Sequence, residues 1–281
     1  MKRISRLTVC TMAVGTLFGL QSCFQDLDND PAFDYPEQPA PAEYSPRKLA
    51  LTFEEEAKDQ SNYKIQTQAV GNPTYVAGKV GKAYQGSETA YILASPNPAA
   101  YPGDISVRDT IANLGSFTIA FWMNTPQATK ATGVFSISNT KTFWGNLDIF
   151  MESNAASADQ AFMKMHLYNG TNERWVEARV EQAIGQWLHM AFRYDQTAET
   201  MTIFKNGTEV YTSVLTGFGA IKFNNMGEIA IGALQFQTSP SLTESASAQD
   251  WASNFTGMLD QFYFYNKALS DTEITALAAE N

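Results

Sequence analysis

The sequence has 281 residues, of which 44% are hydrophobic and 17% charged; this is too polar for a multi-span membrane protein and apolar enough to bury a core. Lys and Arg number 19 against 29 Asp and Glu, and the formal net charge of -10 disfavours electrostatic binding to nucleic acid or to an anionic lipid surface. Cys10, Cys23 and 2 histidines exclude a disulfide framework and a Cys/His zinc site.

The N-terminus reads as an address. Lys2, Arg3 and Arg6 precede an apolar run over residues 7–20, which predicts a signal peptide over residues 1–22. Fourteen residues at 1.5 Å rise cover about 21 Å, short of the ~30 Å hydrocarbon core, so a permanent transmembrane helix is disfavoured. The run ends in Leu20-Gln21-Ser22-Cys23, which resembles the bacterial lipobox. The resemblance implies cleavage before Cys23 and acylation of that cysteine, a membrane anchor made of lipid.

Residues 23–45 then predict a tether. They hold Asp26, Asp28, Asp30, Asp34, Glu37 and Glu43, no basic residue, and prolines at 31, 36, 39 and 41, a composition that cannot bury a core. Asp26, Asp28, Asp30 and Glu37 have an EF-hand-like spacing, but Pro31 stands where that loop needs a glycine, and no helix fits before it. The acidic stretch resembles the surface-export signals of Bacteroidetes-type lipoproteins, which implies an outer-membrane lipoprotein exposed at the cell surface.

From about Leu49 onward, short alternating segments recur between turn signals. Residues 116–123 place Phe117, Ile119, Phe121 and Met123 on one face, the period of a half-buried strand. Similar runs occupy residues 161–168, 187–194, 201–205, 208–212, 228–234 and 257–265. Asn206-Gly207 predicts a hairpin, since a two-residue type I′ turn needs positive φ at both central positions. A single helix is expected, where Ser270 and Glu273 form a capping box ahead of an Ile274, Leu277, Ala278 stripe. The pattern predicts an all-β antiparallel sandwich with a short C-terminal helix.

Four segments carry a family resemblance. Leu49-Ala50-Leu51-Thr52-Phe53-Glu54, with Gly78-Lys79-Val80-Gly81-Lys82-Ala83-Tyr84 after it, resembles an opening strand and its glycine turn. Phe117-Thr118-Ile119-Ala120-Phe121-Trp122 resembles the strand "fTisfW". Gln186-Trp187-Leu188-His189-Met190-Ala191, followed by Ile203-Phe204-Lys205-Asn206-Gly207, resembles "W.HvA" and its hairpin. Gly257-Met258-Leu259-Asp260, continuing to Ser270, resembles "G.iDev.iynraLs". In this order they are similar to the laminin-G-like jelly rolls of the concanavalin A-like lectin/glucanase superfamily. The resemblance implies a two-sheet jelly-roll sandwich over residues 46–281.

Such a fold leaves function open, because the superfamily contains lectins, adhesion modules and glycoside hydrolases. Its retaining glucanases share a Glu-x-Asp-x-Glu strand motif, to which residues 146–152 come nearest. That segment begins with Asn146. Its Asp148 and Glu152 stand about 13 Å apart along a strand, whereas a retaining pair needs ~5 Å and an inverting pair about 6.5–9.5 Å. His189 has a position in the family motif and His166 alternates with Phe162 and Tyr168, so both read as packing residues.

Sugar binding calls for flat aromatic surfaces beside oriented amides and carboxylates. Trp122 and Trp187 fall in strand motifs and are expected to pack. Trp144, Trp175 and Trp251 sit beside turns, which predicts exposed stacking platforms, with Asn146 and Asp148 as hydrogen-bonding partners. The resemblance also implies a calcium ion at the sandwich rim, with Glu54, Asp59 and Asp260 as its candidate ligands. The expected function is a non-catalytic, carbohydrate-binding lipoprotein of the cell envelope that captures a polysaccharide. The alternatives are an adhesion or assembly module with an outer-membrane protein partner, and a glycoside hydrolase.

Overall fold

The computed structural model describes residues 42–96 and 106–280. The expected signal peptide, Cys23 and most of the tether lie outside the described residues.

In chain order the strands are β1 (Arg47–Phe53), β2 (Glu56–Asp59), β3 (Gln66–Val70), β4 (Thr74–Ala77), β5 (Lys82–Gln85) and β6 (Tyr91–Ser95). Helix α1 (Val107–Ala112) precedes β7 (Phe117–Asn124), β8 (Ala131–Asn139), β9 (Leu147–Glu152), β10 (Ala161–Tyr168) and β11 (Glu173–Val180). There follow β12 (Leu188–Asp195), β13 (Thr200–Lys205), β14 (Thr208–Val214), β15 (Met226–Ile231), β16 (Ala252–Asn254), β17 (Met258–Tyr265) and α2 (Asp271–Ala278).

The strands form two sheets. The first runs β14-β13-β12-β7-β17-β1-β2, with β5 on β17 and β4 on β5. The second runs β11-β10-β9-β8-β15-β6-β3, with β16 beside β8. Neighbouring pairs are antiparallel except β16 with β8. Alternation packs the inner faces together: Phe262 of the first sheet stacks on Phe121 at 5.3 Å and meets Phe135 of the second at 5.5 Å.

Phe117, Ile119, Phe121 and Met123 all point into this core. The expectation of a half-buried β7 is corrected, because its other face is buried as well. Leu269 and Ile274, at and just before α2, pack with Ala50, Ala120 and Ala191, so the helix roofs the outer face of the first sheet. The capping box of Ser270 and Glu273 is present, and Asn206 and Gly207 have φ of 51° and 79°, as the hairpin requires. The sequence reading expects one helix, whereas α1 is a second, started by Ser106 Oγ accepting the Asp109 N–H. At 6 residues it is too short to show an apolar stripe.

Candidate functional site

On the outer face of the second sheet, one row of cross-strand neighbours runs from β8 to β11. Ser136 pairs with Asp148, Asp148 with His166, and His166 with Trp175. All four side chains rise on the same side, because strand side chains alternate with period two. Ser136 Oγ donates to Asp148 Oδ1 at 2.5 Å, and the Gly145 N–H donates to Asp148 Oδ2 at 2.8 Å. The His166 ring bridges two carboxylates, with Nδ1 3.3 Å from Asp148 Oδ2 and Nε2 3.2 Å from Glu173 Oε2. Burial opposes a charged ring, but the hydrogen bonds and charges of Asp148 and Glu173 outweigh it and hold the His166 pKa above the ordinary imidazole value.

Two segments cross this face. The β8–β9 turn is tied to the stretch after β15 through Gln235, whose Oε1 accepts the Asn139 N–H at 2.7 Å. Gln235 Nε2 donates to the Thr142 and Phe143 carbonyls, each at 2.8 Å. Thr243 Oγ1 donates to the same Thr142 carbonyl, and Lys141 pairs with Glu244 at 2.6 Å. Gly145 permits the approach: a Cβ there would lie 2.6 Å from Asp148 Oδ1 and 2.8 Å from Ser136 Oγ.

These ties assemble an aromatic cluster. Trp144 stacks on Phe150 at 5.5 Å, meets Trp175 edge-on at 4.9 Å and lies 6.1 Å from Trp251. Phe143 and Phe236 fill the space behind it. Trp175 and Trp251 remain 40% and 45% exposed, which leaves ring surface open to a ligand. Against Trp144 opens a recess of about 290 Å³, bordered also by Phe143, His166, Tyr168 and Glu173. A larger recess of about 370 Å³ lies at the end of the sandwich between residues 125–130 and 248–256. Its lining is mostly polar and includes no aromatic ring.

The structure therefore brings the three expected tryptophans together, with corrections. Trp144 is half-buried rather than exposed, since Phe150 backs one of its faces. Asn146 and Asp148 are fully buried, so they brace the site from beneath and present no group to solvent. Asn146 donates to the Ser138 and Asn224 carbonyls, and both Asp148 oxygens are taken. His166, expected to be a packing residue, is part of the site. Glu173 and Tyr168 were missed by the sequence reading. Trp122 is buried as expected, and Trp187 is half-buried just ahead of β12.

A hydrolytic pair is not formed by these carboxylates. Phe150 stands between Asp148 and Glu152 on β9, and the His166 ring fills the space between Asp148 and Glu173.

The calcium candidates do not fit one ion. Asp59 accepts from the N–H groups of Ala50, Ser61 and Ile65 and from Ser61 Oγ. Glu54 accepts from the Lys82 N–H, and Asp260 from those of Val80 and Gln261. Their oxygens hold turns. Among the described residues no three His, Cys, Asp or Glu side chains gather as a metal site.

Residues 102–275 match a laminin-G family model described as the concanavalin A-like lectin/glucanases superfamily. The chain belongs to this superfamily. Its fold class is therefore the one its strand motifs imply, although residues 49–54 and 78–84 lie ahead of the matched stretch. Among solved structures, this superfamily member is similar to the binding domain of botulinum neurotoxin DC in complex with rat synaptotagmin II, with a TM-score of 0.58 and 16% identity over 83% of this chain and 51% of that one. It is also similar to a structure reported with the finding that botulinum neurotoxin type C cell entry depends on interaction with two ganglioside molecules, with a TM-score of 0.59 and 14% identity over 83% and 50%. A third similar structure is domain 4 of AbnA, an extracellular GH43 arabinanase from Geobacillus stearothermophilus, in complex with arabinotriose, with a TM-score of 0.55 and 18% identity over 83% and 98%. These likenesses are of fold, and the chain spans about half the length of the neurotoxin domains. No curated protein matches the sequence.

Proposed function

We propose that the chain is a non-catalytic carbohydrate-binding lipoprotein of the cell envelope, held at the outer membrane through Cys23 and binding a polysaccharide on the outer face of the second sheet. One observation carries the reading: the exposed rings of Trp175 and Trp251 lie against Trp144, whose ring walls a recess with Tyr168 and Glu173 at its edge. Sugar rings stack their apolar faces on such surfaces and direct their hydroxyls at such groups. The arabinotriose held by the arabinanase domain and the gangliosides of the type C neurotoxin support the same use of this sandwich.

The test is affinity electrophoresis of the full chain against plant and host polysaccharides, with an assay for released reducing ends. Retardation without new reducing ends is expected. Cleavage would overturn the non-catalytic reading. The exposed pair Trp175 and Trp251 also favours one second reading, a protein interface centred on aromatic hot spots. Retardation by no polymer, together with co-purification of an outer-membrane protein, would select it.

A further inference from the structure

The charges around the recess lean acidic, with two carboxylates, Asp148 and Glu173, meeting the single His166 ring. Glu173 stands at its edge with a side chain 64% exposed. Its Oε2 meets His166, and its Oε1 accepts from no protein donor among the described residues. The cations on this strand face, on the β8–β9 turn and beside Glu173 on β11 are engaged by the protein itself. Lys164, two residues from His166 on the same strand face, lies 3.6 Å from Glu152 and 3.1 Å from Glu177. Lys141 is held by Glu244 at 2.6 Å. Arg174 donates to the Glu173 carbonyl and lays its guanidinium over the Phe218 ring.

We propose that this recess selects uncharged sugars over carboxylated ones, and that Glu173 is the residue that sets the preference. The inference rests on the carbohydrate reading above and names its substrate class. A hydroxyl entering beside Trp144 finds Glu173 Oε1 as a charged acceptor, and hydrogen bonds to an ionised oxygen are about twice as strong as neutral ones. A sugar carboxylate in the same place meets a like charge at short range, and the one imidazole there, His166, is already shared between Asp148 and Glu173. At an intermediate effective dielectric that repulsion amounts to about a tenfold loss of affinity.

The full chain is run through gels containing arabinan, galactan or pullulan, and through gels containing polygalacturonate, alginate or polysialic acid. Salt is set near 150 mM, so that charges beyond ~8 Å are screened. Retardation by a neutral polymer is expected, with every acidic polymer bound about tenfold more weakly or less. Glu173→Gln is expected to raise the acidic-to-neutral affinity ratio about tenfold. Glu209→Gln, which removes the same charge from β14 in the other sheet, should leave the ratio unmoved. The proposal is overturned if an acidic polymer binds as tightly as the neutral ones, if Glu173→Gln leaves the ratio where it was, or if Glu209→Gln moves it as far. Retardation by no polymer of either kind overturns the carbohydrate reading, and this preference with it, whereas acidic binding overturns the preference alone.

Discussion

Trp144 and Trp175 meet edge to face at 4.9 Å, so each ring limits the motion of the other and a sugar would meet a preformed surface. Trp144→Ala and Trp175→Ala are each expected to weaken polysaccharide retardation about tenfold or more. Unchanged affinity in both would remove these rings from the site. The two histidines respond to pH in opposite directions. Burial holds the His189 pKa down at about 4, so below about 6.5 the unfolded chain takes up a proton that the folded chain refuses. Stability should therefore fall by up to about 3 kcal/mol as pH drops from 6.5 to 4. The His166 pKa is raised, so its contribution is complete below about pH 6.5 and is lost as pH rises through the folded value. Thermal melts across pH 4 to 9 check both. His189→Leu should flatten the acid limb and His166→Gln the alkaline one.

At the level of elements, the site depends on a turn pressed onto strands. Gly145→Ala would drive a methyl group into Asp148 and Ser136, and is expected to cost about 2 kcal/mol in urea unfolding. It should also weaken retardation, because Trp144 precedes the displaced residue. A variant with wild-type stability and affinity would show that the turn adapts freely. Elements with strong local signals were legible in the sequence: the Asn206-Gly207 hairpin and the Ser270 capping box form as expected. The site was legible only in part. Period two places Asp148, His166 and Trp175 outward on their strands, but the register that aligns them depends on how residues 153–160 and 169–172 connect those strands. Asn146 and Asp148 read as ligand-facing groups until their partners are known: Ser136, Gly145 and His166 take the Asp148 oxygens, and Asn146 donates to the carbonyl of Asn224, distant in sequence.

For the whole molecule, the ordered strand motifs specified the sandwich because each is a local pattern of alternation and turn chemistry. The burial of both faces of β7 was not legible, since it arises from distant segments: residues 267–274 fold back over Thr118 and Ala120, and Lys79 lies over Trp122. The proposed anchor has its own test. Cys23→Ser should move the protein from the detergent phase to the aqueous phase on phase partitioning, and from the membrane fraction to the soluble one. Continued membrane association would set the lipid anchor aside. The described chain begins beside the first sheet, where Arg47 opens β1, while the aromatic recess lies on the outer face of the second. With about 10 Å between packed sheets, the sandwich itself acts as a standoff, so that a polymer bound at the recess would be held a full sheet spacing away from the strand on which the described fold begins.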